Sequence, residues 1–270
     1  MSKILCIPDV HCRKFWREAL NEYKNSVDKV IFLGDYIDPY PEEIEANPEL
    51  MEVKSFQDTA SAIKMLEDIF SLKKENPDKY ILLTGNHTDS YIWQNFSKAS
   101  RTDFHNWKLY HNTFSENLNL FNFVWIENDV IFSHAGISKE WAERFLYKHM
   151  KYDDGAEIEK DSFELETARV LMDTPLENFN NHYINAISEL SYYRGGEFSY
   201  GSCEWADVRE HIDHHQTEVR GKIVPLGEEG IFQVFGHTQL LKELITDKWA
   251  CLDCRKGFII NTLTYEVSEC

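Results

Sequence analysis

Five short runs of β-branched and aromatic residues, each closing on a small polar motif, constrain this chain more than any other feature. Lys3–Pro8 runs into Asp9-Val10-His11, and Lys29–Leu33 into Gly34-Asp35-Tyr36-Ile37-Asp38. Tyr80–Leu83 precedes Gly85-Asn86-His87, Val130–Phe132 precedes Ser133-His134-Ala135-Gly136, and Ile231–Phe235 precedes Gly236-His237-Thr238. Each run has the length and composition of a buried strand. A helical stretch separates the first two, and Phe56 to Phe70 repeats apolar residues at helical spacing before the third. The first third therefore predicts β-α-β-α-β with parallel strands and right-handed crossovers. In such sheets the loops beyond the carboxyl ends of the strands converge on one crevice, so the spacing of these motifs is itself a site prediction.

After Phe121 the pattern changes. NFVWI and VIFSH flank Glu127-Asn128-Asp129 and predict a hairpin. Helices are expected over Lys139–Met150 and Phe163–Leu190, followed by an irregular Gly- and Tyr-rich segment, Tyr192–Ser202. Short strands return at Ile231–Phe235, Ala250–Leu252, Phe258–Asn261 and Thr264–Val267. With no repeat and no linker, residues 1–270 read as a single domain of the α/β class.

Composition narrows the partners. A net charge of −18, from 46 acidic against 28 basic residues, repels polyanions, so long nucleic acid is a poor first expectation for a partner. The N-terminal apolar run is too short for a signal-peptide core or a membrane span, which points to a cytoplasmic protein with no membrane partner. Six Cys show no dense framework, and free thiols are expected.

The polar residues of the motifs are metal-ligand types: carboxylate, amide oxygen and imidazole. This set suits two divalent ions such as Mn, Fe, Zn or Ni, and no Cys occupies a ligand position. Water between two such ions has a strongly lowered pKa and can act as hydroxide near neutral pH.

With these motifs in this order, the chain resembles the calcineurin-like metallophosphoesterases. Gly34-Asp35-Tyr36-Ile37-Asp38 is most similar to the branch holding the serine/threonine phosphoprotein phosphatases, small phage and bacterial phosphatases, and symmetrical diadenosine tetraphosphatases. The resemblance extends to Cys251-Leu252-Asp253-Cys254-Arg255-Lys256-Gly257-Phe258, which is similar to the closing strands of that branch. It implies a sandwich of two mixed β-sheets flanked by helices. It also implies that Asp9 and His11 bind one metal, that Asp35 bridges both, and that Asn86, His134 and His237 bind the other, with Mn the favoured ion in vitro. His87 is then the proton donor to the leaving oxygen, and Asp38 orients it.

The chain departs from the phosphoprotein phosphatases at Pro39, Thr84 and Thr88, where they carry Arg, Arg and Glu. The candidates to grip phosphate instead are Arg13, beside the first motif, and Arg194, upstream of Trp205-Ala206-Asp207, a stretch similar to that branch's substrate-side segment. Gln239 stands where a second His closes Gly-His-x-His in other branches, leaving a coordination position open on the first metal. The expected activity is hydrolysis of a phosphomonoester, on a phosphoprotein or a small phosphorylated metabolite. A nucleotide pyrophosphatase of the diadenosine tetraphosphatase type is the enzymatic alternative. A catalytically silent metal-binding scaffold is the alternative of another class, against which the His87 and Asp38 pair argues. Cys251-x-x-Cys254 reads as structural thiols, and His211, His214 and His215 as a solvated helix surface. His105, His111, His149 and His182 fit no ligand spacing, and Tyr192, Tyr193, Phe198 and Tyr200 suit either a stacking surface or an ordinary packed loop.

Overall fold

Strand β1 (Lys3–Ile7) is buried at every position after Lys3, because it runs through the middle of a sheet covered on both faces. A computed structural model describes residues 2–95, 100–149, 163–211 and 231–270 of the chain. β1 pairs in parallel with β2 (Lys29–Phe32), β2 with β3 (Tyr80–Leu83), and β3 with β4 (Phe121–Asn122). On the other side β10 (Phe258–Asn261) pairs antiparallel with β1, and β11 (Val267–Glu269) closes the edge.

The second sheet has the order β5-β6-β7-β9-β8, formed by Val124–Glu127, Val130–Ser133, Phe232–Phe235, Trp249–Cys251 and Leu244–Ile245 respectively. The β6, β7 and β9 strands are parallel, flanked by antiparallel β5 and β8. The sequence run Asn122–Ile126 divides between the sheets: Asn122 pairs with β3, Val124 opens the hairpin, and the buried Phe123 carries the chain across. The hairpin turns at Asn128, whose left-handed φ of 55° suits a tight connection.

Alternation along the strands builds two apolar layers. Ile4, Cys6, Ile31, Ile81 and Leu83 face Val130, Phe132, Phe232 and Val234 between the sheets. Their neighbours Leu5, Ile7, Val30, Phe32 and Leu82 pack outward with the helices, against Trp16, Leu66, Ile69 and Phe114. Burial of each large side chain contributes roughly 1.5–3 kcal/mol, so the sandwich is a firm base for its loops. The two mixed sheets flanked by helices are the architecture the resemblance implied.

Some boundaries differ from the sequence reading, with identifiable causes. Pro175 divides the expected helix over Phe163–Leu190 into Phe163–Asp173 and Asn181–Ile187. The helix expected over Lys139–Met150 is α-helical over Lys139–Arg144 and widens to π geometry over Phe145–His149, with Met150 outside the described residues. The strand expected at Thr264–Val267 starts at Val267, because Asn261 Oδ1 accepts from the Leu263 and Thr264 amides and folds that stretch into a turn. Among the described residues, no helix is long and apolar enough to cross a membrane.

Candidate metal centre and active site

The five polar motifs lie where their strands end, and the loops are stitched together by their own backbones. His11 N–H donates to Asp35 O at 2.8 Å, Cys12 N–H to Tyr36 O at 2.9 Å, and Gly236 N–H to His134 O at 2.8 Å. The cost of this convergence shows in the backbone. His11, Cys12, Asp35, Asp38 and His237 all have positive φ, between 41° and 62°, a conformation that costs a side-chain-bearing residue roughly 1–2 kcal/mol. Such strain persists only where the surroundings over-determine it, and it clusters at functional sites.

Within the loops, acceptor atoms point at one another. His134 Nε2 is 3.1 Å from Asn86 Oδ1, 3.1 Å from His237 Nδ1 and 3.4 Å from Asp35 Oδ2. His11 Nε2 is 3.6 Å from the same Asp35 oxygen. The far nitrogens settle the tautomers: Nδ1–H of His134 donates to Leu33 O, and Nδ1–H of His11 to Ile37 O, both at 2.8 Å. Each imidazole therefore turns Nε2 toward the cluster, the nitrogen that binds a metal once it carries no proton, an orientation that outer hydrogen bonds typically impose on metal-ligating histidines. Asp9 joins from the opposite wall, where both carboxylate oxygens accept from the His237 backbone N–H, at 3.0 and 3.1 Å.

These groups are buried except for the half-buried His237, and their charge states follow from burial and from each other. Burial favours the neutral forms of His11 and His237 and holds both well below the usual imidazole range. Burial opposes ionisation of Asp35, but the neighbouring His134, His87 and His11 overrule it and hold its carboxyl well below the usual range. Burial also raises the Asp9 carboxyl, to about 6. At His134 burial pulls downward, yet Asp35, Asp9 and Glu204 push the imidazole up to about 10. The proton on His134 thus supplies the positive charge that the converging oxygens and nitrogens call for.

Divalent cations fit this donor set. Two groups, His11-Asp35-His87 and Asp35-His134-His237, each bring ligand atoms within 4.8 Å of one another, and Asp35 belongs to both, as a bridging ligand must. His237 Nε2 is buried with no hydrogen-bond partner among the described residues. His87 differs from the other histidines of the cluster in its partner: Nδ1 donates to Asp38 Oδ2 at 2.8 Å.

If cations take the place of the His134 proton, loading must release protons. We expect divalent-ion affinity to rise about tenfold per pH unit for each proton displaced, between the ranges set by Asp9 near 6 and His134 near 10. Calorimetry near pH 8 in two buffers of different ionisation enthalpy measures the release directly, and a value of zero contradicts the assignment.

The candidate arginines are both engaged. Arg13 is buried: Nε and Nη2 hold Glu43, at 2.7 and 3.1 Å, and Nη1 donates to Asp9 O at 2.9 Å. Arg255 binds Glu43 as well, so this cluster braces the Asp9 loop. Arg194 donates to Thr238 Oγ1 at 2.7 Å and pairs with Asp207, beside His237. Gln239 turns toward Glu43, at 3.5 Å. Trp205, in the stretch expected to be substrate-side, has its ring 6.0 Å from that of His237.

Several neighbours carried no signal in the sequence. Tyr91 OH donates to Asp38 Oδ1 at 2.6 Å, on the same helix, Asn86–Trp93, that begins with Asn86 and His87. Asp35 Oδ1 accepts from the His87 backbone N–H at 3.0 Å, placing a carboxylate at that helix's N-terminus. Ser100 Oγ accepts from Asn86 Nδ2 at 2.9 Å, which turns the amide oxygen toward His134. Arg101 donates to Asp38 O at 3.0 Å. Glu204 is fully buried, bonded by Thr84 Oγ1 at 2.5 Å, and burial raises its carboxyl to about 7. Asp253 is buried within electrostatic reach of Asp9 and Arg13.

One further expectation is corrected. His211 is not on a solvated surface: its ring packs 4.8 Å from Phe235 and 6.2 Å from Trp249, and burial lowers it to about 4. His214 and His215 lie outside the described residues. In the aromatic segment, Phe198 and Tyr200 stack on each other at 5.3 Å beneath Arg144, while Tyr192 and Tyr193 are exposed. All six thiols are free, and burial raises those of Cys251 and Cys254.

Comparison with known proteins places this geometry. Among solved structures, the chain is similar to a cold-active protein-tyrosine phosphatase of the psychrophile Shewanella sp., at 13% identity and a TM-score of 0.53, covering 100% of this chain and 80% of that one. It is also similar to a protein serine/threonine phosphatase from Saccharomyces cerevisiae with similarity to human phosphatase PP5, at 12% identity and a TM-score of 0.45, covering 99% and 79%. At 13% identity the likeness to the Shewanella enzyme concerns the fold alone. No curated protein matches the sequence. The model of the calcineurin-like phosphoesterase family matches residues 2–238, an interval that contains all five motifs, and the chain belongs to that family.

Proposed function

We propose that this chain is a phosphomonoesterase that works with two divalent ions, Mn, Fe, Zn or Ni, on a phosphoprotein or a small phosphorylated metabolite. Asp9 and His11 hold one ion, Asp35 bridges, and Asn86, His134 and His237 hold the other. The observation that carries the reading is the chain Tyr91–Asp38–His87, set against a cluster of converging lone pairs that shares Asp35. When bound, such an ion pair lowers the pKa of water and draws charge from the phosphoryl oxygens.

The protein's own residues do the rest. Asp38 is buried and its carboxyl raised by burial, while the bonds from His87 and Tyr91 pull it back down. With both oxygens occupied, it fixes the His87 ring, whose Nε2 can then give a proton to the departing oxygen. A passive metal-binding scaffold has no use for this arrangement.

The experiment is hydrolysis by the purified protein loaded with Mn. p-Nitrophenyl phosphate should be cleaved, and chelation should stop the reaction; turnover that survives chelation defeats the proposal. A general acid matters most when the leaving group is poor. His87→Asn should therefore lower kcat about 10²- to 10⁴-fold for an alkyl phosphate and far less for p-nitrophenyl phosphate, with metal content unchanged. Equal losses on both substrates would remove His87 from the proton-donor role.

A further inference from the structure

Arg101 is the one arginine among the described residues with no carboxylate partner. Every other described arginine pairs with Asp or Glu. In a chain of net charge −18, where acidic groups are abundant, a guanidinium beside the catalytic cluster that pairs directly with no carboxylate is conspicuous.

Its position is fixed by neighbours that leave most of its donors unused. Nη2 donates to Asp38 O at 3.0 Å, and the guanidinium carbon lies 3.3 Å from the centre of the Tyr40 ring. Nε is buried without a hydrogen-bond partner among the described residues. The Tyr40 ring is 5.3 Å from that of His11, which is 5.0 Å from that of His87. The stacked cation therefore stands where Asp38, His11 and His87 meet, with its fork held rigid by an aromatic face. A guanidinium offers five N–H donors; Asp38 lies within electrostatic reach of this one, yet Nε, one arm of its fork, is left without an oxygen to grip among the described residues. Arg13 and Arg194 are spent on Glu43 and Asp207. Position 39, next to Asp38, is Pro and supplies no donor of its own.

We infer that Arg101, stacked on Tyr40, grips two of the substrate's phosphoryl oxygens in a bidentate contact. The inference rests on the phosphomonoesterase reading, but its test does not require turnover.

Inorganic phosphate is the probe, titrated calorimetrically into the metal-loaded protein. Arg101→Ala should weaken phosphate binding about tenfold or more, with Arg101→Lys intermediate because it keeps the charge but loses the fork. Arg169→Ala, at an exposed position of the helix Phe163–Asp173 where Arg169 pairs with Glu166, should bind as the wild type does. Metal content, measured in parallel, should stay the same. Unchanged phosphate affinity in Arg101→Ala at full metal content overturns the inference. If Arg101→Ala sheds metal, Arg101→Gln decides, since it keeps a stem on Tyr40 and a donor for Asp38 O without the charge. If the wild type cleaves no monoester yet the variant loses phosphate affinity, the proposed activity falls while the role of Arg101 in anion binding stands.

Discussion

Asp35→Asn should reduce turnover by about 10³-fold or more and strip metal from the protein while leaving the fold intact. Asn has nearly the shape of Asp, and its Oδ1 can still accept the His87 backbone N–H, so the helix start over Asn86–Trp93 keeps its partner. What is lost is charge. Asp35 Oδ2 lies 3.4 Å from His134 Nε2 and 3.6 Å from His11 Nε2, and the amide nitrogen that replaces it cannot bridge two cations. Asp35 is also the strongest influence raising the His134 imidazole, so the substitution should bring that group down as well. Kinetics, elemental analysis and thermal unfolding on one preparation separate these effects. Wild-type metal content in the variant would mean that Asp35 does not bridge.

Gly236→Ala should be nearly as damaging, by a different route. A Cβ at position 236 would overlap Asp9 Oδ2 and lie 3.2 Å from Asp9 Cγ. Asp9 has little room to retreat, because both its carboxylate oxygens are held by the His237 N–H. Its carboxylate must leave the cluster, and overpacking of this kind costs roughly 1–3 kcal/mol of stability. Displacing a ligand should lower activity at least as much as the roughly 10- to 100-fold that outer-shell changes cost. Gly195→Ala is the control. That glycine also has a positive φ, 81°, but a Cβ there meets open space, so the change should strain the backbone and leave activity alone. A Gly236→Ala enzyme with normal activity would place Asp9 outside the metal centre.

The sandwich core and the five motifs were readable in advance because both follow from short-range pattern. A strand buried on both faces is a continuous apolar run, and a polar motif that ends it must lie at the sheet's carboxyl edge. The helix Asn86–Trp93 was not readable, since Asn86 through Ile92 are all buried and a helix buried all round shows no amphipathic period. Tyr91, inside that helix, was hidden with it. Ser100 and Arg101 act on Asn86 and Asp38 through tertiary packing, across 14 and 63 residues of sequence, a distance over which spacing carries no information. Arg13 shows the converse. Its place beside the first motif drew attention to it, but its partner Glu43 sits 30 residues on, and only the fold shows that the pair braces Asp9.

The claim beneath all of this is that Asp9, His11, Asp35, Asn86, His134 and His237 hold a pair of cations. Anomalous diffraction from crystals of Mn-loaded protein tests it most directly. Two peaks per chain, both bordering Asp35, with His11 and Asp9 on one side and His134, His237 and Asn86 on the other, are the predicted result. A single peak, or peaks away from Asp35, would contradict it.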